Sequence, residues 1–485
     1  MGTAHFWGNE MFTDLFTQEE CDGFLVECEK KKKQNRLKNI NYTHFDYRVT
    51  IDGCWKEISN PNRIVNHAFY PLVHFKKKSR RVDNSQEKMR RKEDKEREIF
   101  YAAHIDSWIY RYYCYLLNIK YNSRLEHDGL NNVSVAYRTN LHKSNIDFAK
   151  DAFSFIRNCG DCYIMVGDFT NFFDNLDHKY LKQEIKGLLG VNSVPDDLYA
   201  VLKSLMRFSY VELEELVKYN GLKYTLRKKK KFDDPSKFKT AFRESNLRDN
   251  RHLIKPGYAK IERRGIPQGT PLSAVCANIY MLEADKLISD YVNNRRGLYM
   301  RYSDDFIVIL PKNGIDFSEA HTWVKNCIKN GPDVELQDEK TKIFECVEGQ
   351  IVNCTSKYIS EGEDGKNILD FLGFSFDGTN VRIRSKTIGK FYNNMYRTIR
   401  YDQRKEKGTK RVYKKFSERG SASYIRHHRK IDNNAIYNVS NNDRGNFHDY
   451  VYRAEKAFDS TEDKLSIGMD TRRVMQKIRK AVDKM

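Results

Sequence analysis

The run YMRYSDDFIVIL, residues 299–310, constrains the fold more than any other stretch of the chain. Two adjacent carboxylates, Asp304 and Asp305, interrupt an apolar sequence rich in β-branched and aromatic residues. Such flanks favour strands. In a continuous strand the two acids would face opposite sides of the sheet. A hairpin with SDD at its tip brings both to the same end, and that is the reading adopted. Buried anions this close repel each other and are costly to desolvate unless something neutralises them. A divalent cation does so, and Mg²⁺ takes oxygen ligands. Asp is also common in solvated turns, so the motif needs support from elsewhere in the chain.

A second acidic strand end supplies it. CYIMVGDFTNFFDNLDH, residues 162–178, is a buried-strand pattern that runs into Asp168, with the aromatic pair Phe172 and Phe173 just beyond. If the two strand ends lie side by side in one sheet, Asp168 and Asp304 can share metal ions, the arrangement used for phosphoryl transfer. Asp174 and Asp177 read more simply as solvated or helix-start acids. A third stretch, RRGIPQGTPLSAVCANIYM at 263–281, has Gly265, Pro267, Gly269 and Pro271 forcing an irregular backbone before a helix whose N-terminus suits phosphates.

The chain has 485 residues, 40% of them hydrophobic, which is enough for a packed core and suggests two to four domains. Its net charge is +20, from 86 Lys and Arg against 66 Asp and Glu. The excess is clustered, at 29–38, 75–97 and 226–232, and points to a polyanionic partner, nucleic acid first. The ten cysteines follow no framework spacing; the single CxxC, Cys159 to Cys162, has no second pair and reads as structural. The opening MGTAHFWGNEMF lacks the charge-then-apolar pattern of a signal peptide, and no apolar run reaches transmembrane length. A cytoplasmic location and no membrane partner are therefore expected. Local patterns predict a helix over 99–120, a strand over 131–139 and a helix after Ser144. They also predict a strand from 162, a helix ending at Gly190, a helix opening after Pro271, a helix near 317–330 and short strands within 343–384.

Taken in order, these stretches resemble the motifs of reverse transcriptases. GDFTNFFDNLDH resembles motif A, RGIPQGTPLSAVCANIYM motif B and YSDD motif C. LQDEKTKI at 336–343 is similar to motif D, and DFLGFSFDG at 370–378 to motif E of the primer grip. Within that class the likeness is to bacterial "unknown group" and abortive-infection enzymes, carried by 97–117, 135–145, 371–395 and 445–454. It runs from about residue 97 to the C-terminus; the first 96 residues resemble no family.

The resemblance implies an α+β right-hand polymerase. Its parts would be a basic N-terminal extension (1–96), fingers (97–167) and palm (168–345) with a fingers insertion at about 190–262. The end of the palm and primer grip (346–387) and a basic helical thumb (388–485) would follow. It implies that Asp168, Asp304 and Asp305 are catalytic, that these three and the carbonyl of Phe169 hold two Mg²⁺ ions, and that Phe173 is the steric gate against ribonucleotides. Gln268, Arg138, Lys143 and Lys340 would bind the incoming nucleotide, and Leu372 and Gly373 would belong to the primer grip. Arg227, Lys228, Lys229 and Lys230 would bind RNA. The implied activity is DNA synthesis from deoxynucleoside triphosphates on a dedicated noncoding RNA, in antiphage defence within a bacterial cytoplasm, with the RNA and DNA product as partners and self-association left open. The tail after motif E suits a thumb and little else, and no acidic constellation is left for an RNase H domain. Two alternatives remain: a template-independent or protein-primed DNA polymerase on the same palm, and a noncatalytic RNA-binding scaffold.

Overall fold

The computed structural model describes residues 11–33, 44, 46, 49–83, 90–215, 251–360, 362–405, 409–421, 446–459 and 471–482, with the backbone alone at 79–83, 90–95 and 471–472. The chain forms two units. One comprises Met1–Tyr137, Phe169–Leu287 and Cys327–Glu335, the other Arg138–Asp168, Ile288–Asn326 and Leu336–Met485.

The first unit carries a four-stranded sheet of β1 (Leu72–Asp83), β2 (Arg90–Tyr101), β4 (Ser209–Glu212) and β5 (Lys255–Pro256), in the order β2-β1-β4-β5. β1 pairs antiparallel with β2 and parallel with β4. Val73, Val211 and Leu213 form a small core there, packed by Tyr70, Phe75 and Tyr101. The helix expected over 99–120 instead spans His104–His127. Ile99, Phe100 and Tyr101 are β-prone and pair with Phe75, His74 and Val73. The carboxylate of Asp46 accepts the free backbone N–H groups of His104 and Ile105, both at 2.9 Å, and so fixes the helix start. Twelve residues of this helix are buried, so it is enclosed on most faces, as its all-round apolar sequence requires.

The second unit is built on a five-stranded antiparallel sheet. Its strands are β3 (Cys162–Asp168), β6 (Leu298–Tyr302), β7 (Asp305–Pro311), β8 (Lys342–Val347) and β9 (Gln350–Asn353), ordered β6-β7-β3-β8-β9. β7 and β3 are central and covered on both faces. Phe306 through Leu310 are each at most 1% exposed, which explains why FIVIL is apolar at every position rather than at alternate ones. A three-stranded sheet of β10 (Leu369–Phe371), β11 (Phe374–Phe376) and β12 (Val381–Ile383) follows.

Ser144 caps the helix Asn145–Asn158 in a capping box with Asp147. In the first unit Gly190, at φ +68°, ends the helix His178–Leu189. The helix after Pro271 comes as two pieces, Pro271–Tyr280 and Leu282–Asn293. The strand expected over 131–139 does not form. Val133, Val135 and Ala136 are buried in a series of turns, and Tyr137 adopts φ +62°, which no strand allows. Cys159 and Cys162 are free thiols joined by Cys346, which stands opposite Cys162 in the β3–β8 pair.

Candidate active site

β3 delivers Asp168 as its last residue and β7 delivers Asp305 as its first, and the antiparallel register sets the two directly opposite each other. Tyr302 pairs with Asp305, so Ser303 and Asp304 form a two-residue turn between β6 and β7. Ser303 has φ +64°, a conformation that costs a non-glycine residue energy and must be held by its surroundings. Arg301 supplies part of that hold. Its guanidinium is fully buried and donates to the Ser303 carbonyl at 3.0 Å.

The space behind the carboxylates is tight. A Cβ on Gly167 would stand 2.6 Å from the Phe306 ring and 3.3 Å from Thr341 Oγ1, so any side chain there would have to displace the ring. The backbone of Gln337 donates to the Asp168 carbonyl at 2.9 Å, and this anchors the segment that carries Lys340. Lys340 Nζ then reaches Asp168 Oδ2 at 2.5 Å.

The electrostatics follow from this crowding. The Asp304 carboxyl is raised above the ordinary carboxylate range, first by burial and then by the charge of Asp168. Asp305 is exposed, yet enough protein displaces water around it to push it up to about 6. The charges of Asp304 and Asp168 add to that rise, and Arg384 and Lys340 oppose it. Asp168 Oδ1 is buried and has no hydrogen-bond partner among the described residues.

An orphaned anionic oxygen beside two further carboxylates is a donor set for a hard cation, and these residues fit Mg²⁺. No group of three His, Cys, Asp or Glu side chains among the described residues is arranged to hold one metal ion. Mg²⁺ commonly takes one or two carboxylates and completes its shell with water and substrate phosphates, so the two observations agree.

The other expected residues are placed as follows. Leu372 and Gly373 turn the chain between β10 and β11 with φ +45° and +94°. The Leu372 carbonyl accepts from Asn145 Nδ2 at 2.9 Å, and the Gly373 carbonyl from the Arg384 backbone at 2.9 Å. Arg384 in turn pairs with Asp370 at 2.7 Å. Lys143 is exposed and paired with Asp151 at 2.8 Å, whereas Arg138 is buried. All of these, with the three acids and Lys340, belong to the second unit.

Phe169, Phe173 and Gln268 belong to the first unit. Phe169 and Phe172 are core residues, and Phe173 is half-buried against Phe172 with ring centres 5.7 Å apart. The Phe173 carbonyl accepts from the Ile266 backbone and the Gln268 carbonyl from the Phe100 backbone, both at 2.8 Å. Gly269, at φ +120°, permits this course, since a Cβ there would lie 2.4 Å from the Phe100 carbonyl oxygen. Asp177 caps the next helix and Asp174 accepts from the Tyr258 hydroxyl at 2.9 Å, so both are structural. Arg227, Lys228, Lys229 and Lys230 lie outside the described residues. Sequence reasoning missed Arg301, Arg384, Gln337 and Gly167. The one available signal was a cation, Arg301, inside the apolar run itself.

An antiparallel sheet that gathers acids at adjoining strand ends, with a lysine on one of them, defines a palm-type site within an α+β protein. The chain belongs to the reverse transcriptase (RNA-dependent DNA polymerase) family, whose model matches residues 114–376, more than half of its length. No curated protein gives a significant match. Similar solved structures include a C-terminally truncated apo telomerase from Candida tropicalis, at 15% identity and TM-score 0.36 over 68% of this chain and 60% of that one. Telomerase from Candida albicans, in complex with a fragment of telomeric RNA, is similar at 13% identity and TM-score 0.38 over 88% of this chain and 63% of that one. The chain thus spans less than two thirds of the length of these telomerases.

Proposed function

We propose that the chain is an RNA-templated DNA polymerase that extends a primer with deoxynucleoside triphosphates. The observation that carries this reading is the register of Asp168 against Asp305, with Asp304 beside them in the turn between β6 and β7. Asp168, Asp304 and Asp305, with the Phe169 carbonyl, would hold two Mg²⁺ ions, which when bound activate a primer 3′-hydroxyl and neutralise the leaving pyrophosphate. Lys340 already lies on Asp168 and would supply positive charge, or a proton, to the triphosphate side. Gln268, Arg138 and Lys143 would orient the nucleotide. Phe173 would sit beneath its sugar and exclude a 2′-hydroxyl.

The finer reading is a bacterial, cytoplasmic enzyme of antiphage defence that copies a dedicated noncoding RNA. It rests on the likeness of 97–117, 135–145 and 371–395 to defence-associated reverse transcriptases. No described helix is long and apolar enough to cross a membrane. The test is primer extension with Mg²⁺ and dNTPs on a defined RNA template, with a template-free arm. Extension only with RNA present supports the reading. Equal synthesis without template transfers it to template-independent polymerisation, and no synthesis in either arm removes the polymerase reading.

A further inference from the structure

β1 and β2 run side by side for twelve residues each, yet only Leu72, Val73 and His74 of β1 have a second neighbour, in β4. Beyond them the pair is a two-stranded ribbon. The whole ribbon precedes residues 114–376, the segment matched to the family.

Its two faces treat charge differently. On one face Lys76 stands opposite Glu98 and Lys78 opposite Glu96. Lys78 pairs with Glu96 at 2.7 Å, and Lys76 lies 3.6 Å from Glu98 and 3.7 Å from Glu96. That face is neutralised from within. On the other face Lys77 stands opposite Arg97. Both are exposed, and neither has an ion-pair partner among the described residues. Two positions further along, the backbone register sets Lys95 opposite Ser79. Like charges directly opposite each other across an antiparallel pair are destabilising. The acids nearest this pair, Glu96 and Glu98, both lie on the other face, and an acid returns to the Lys77 side at the far end of the ribbon, where Asp83 stands opposite Arg90. Such an uncompensated row is expected where an outside anion neutralises it.

We propose that the Lys77/Arg97 face of the ribbon docks on the phosphate backbone of the nucleic acid. The proposal rests on the polymerase reading and adds to it a contact that the family-matched segment does not supply. Same-face positions recur every ~6.8 Å along an antiparallel strand, a spacing comparable with that of successive phosphates. Lys and Arg on phosphates hold register without reading bases, so the contact is independent of sequence.

The test compares Lys77→Gln with Lys76→Gln in the full chain. The two remove the same charge from adjacent residues on opposite faces. Affinity for an RNA and a DNA oligonucleotide of one mixed sequence is measured across a salt series, and the two oligonucleotides show which strand the ribbon takes. Lys77→Gln is expected to weaken binding and to reduce the slope of log K against log salt by about 0.7–1, as for one lost phosphate contact. Lys76→Gln is expected to leave the slope unchanged. Lys77→Glu, which sets an acid opposite Arg97, should weaken binding further while holding or raising Tm, so that unfolding does not explain the loss. Equal effects of the two Gln variants, or no effect of Lys77→Gln, overturn the ribbon proposal alone. Wild-type protein that binds neither oligonucleotide overturns it together with the polymerase reading.

Discussion

Two side chains show how burial sets chemistry at the scale of the residue. Glu184, on the helix His178–Leu189, is 7% exposed, and burial followed by the charge of Glu283 pushes its carboxyl up to about 7. Its folded pKa lies above its ordinary value, so the folded protein holds the proton more tightly. Stability is therefore lost as pH rises from about 4.5 to 7, and the full penalty, on the order of 3 kcal/mol, applies above that window. Glu184→Gln should match the wild type near pH 4.5 and be more stable at pH 8, a difference read from melting curves at several pH values. Phe173 is the second case. Its half-buried ring is held by Phe172 and by the backbone bond to Ile266. If it is the sugar gate, Phe173→Ala should lower discrimination against ribonucleotides by about 10²-fold, measured as the ratio of kcat/KM for dNTP and rNTP. Unchanged discrimination would remove the gate assignment.

At the scale of the element, the β6–β7 hairpin was legible because two β-prone runs flank a short polar stretch. Strand β3 was legible for the same reason. Residues 131–139 were misread because alternating Val, Ser and Val mimic a strand, whereas their burial comes from turns closed by tertiary contacts that local pattern does not record. The start of the helix at His104 depends on Asp46, 58 residues earlier in the chain, and was invisible for that reason. Gly167 carries a constraint of the same long-range kind. Gly167→Ala must move the Phe306 ring, next to Asp305, or shift β3 against β7. We expect a loss of about 1–3 kcal/mol in stability together with slower nucleotide incorporation. A variant with wild-type melting and wild-type rate would show that the strand ends tolerate displacement.

At the scale of the whole molecule, the order of the motifs was readable from sequence and the division of the chain was not. Asp168 closes one unit and Phe169 opens the other, so a single motif supplies residues to both. A contiguous domain plan has no local signal for such a passage, since strand and helix patterns continue undisturbed across it. The +20 charge belongs to this scale as well. It favours a polyanionic partner without choosing one, whereas the register of β1 and β2 sets a face where Lys76 and Lys78 meet Glu96 and Glu98 apart from one where Lys77 stands opposite Arg97.

The central claim is that the acids at the ends of β3 and β7 form one metal-dependent polymerising centre. Single-turnover dNTP incorporation on an RNA template, with Asp304→Asn beside the wild type over a range of Mg²⁺ concentrations, tests it most directly. The account predicts a rate loss on the order of 10³-fold or more at every Mg²⁺ concentration, with RNA affinity retained. An Asp304→Asn protein that extends primers at a near wild-type rate would contradict it.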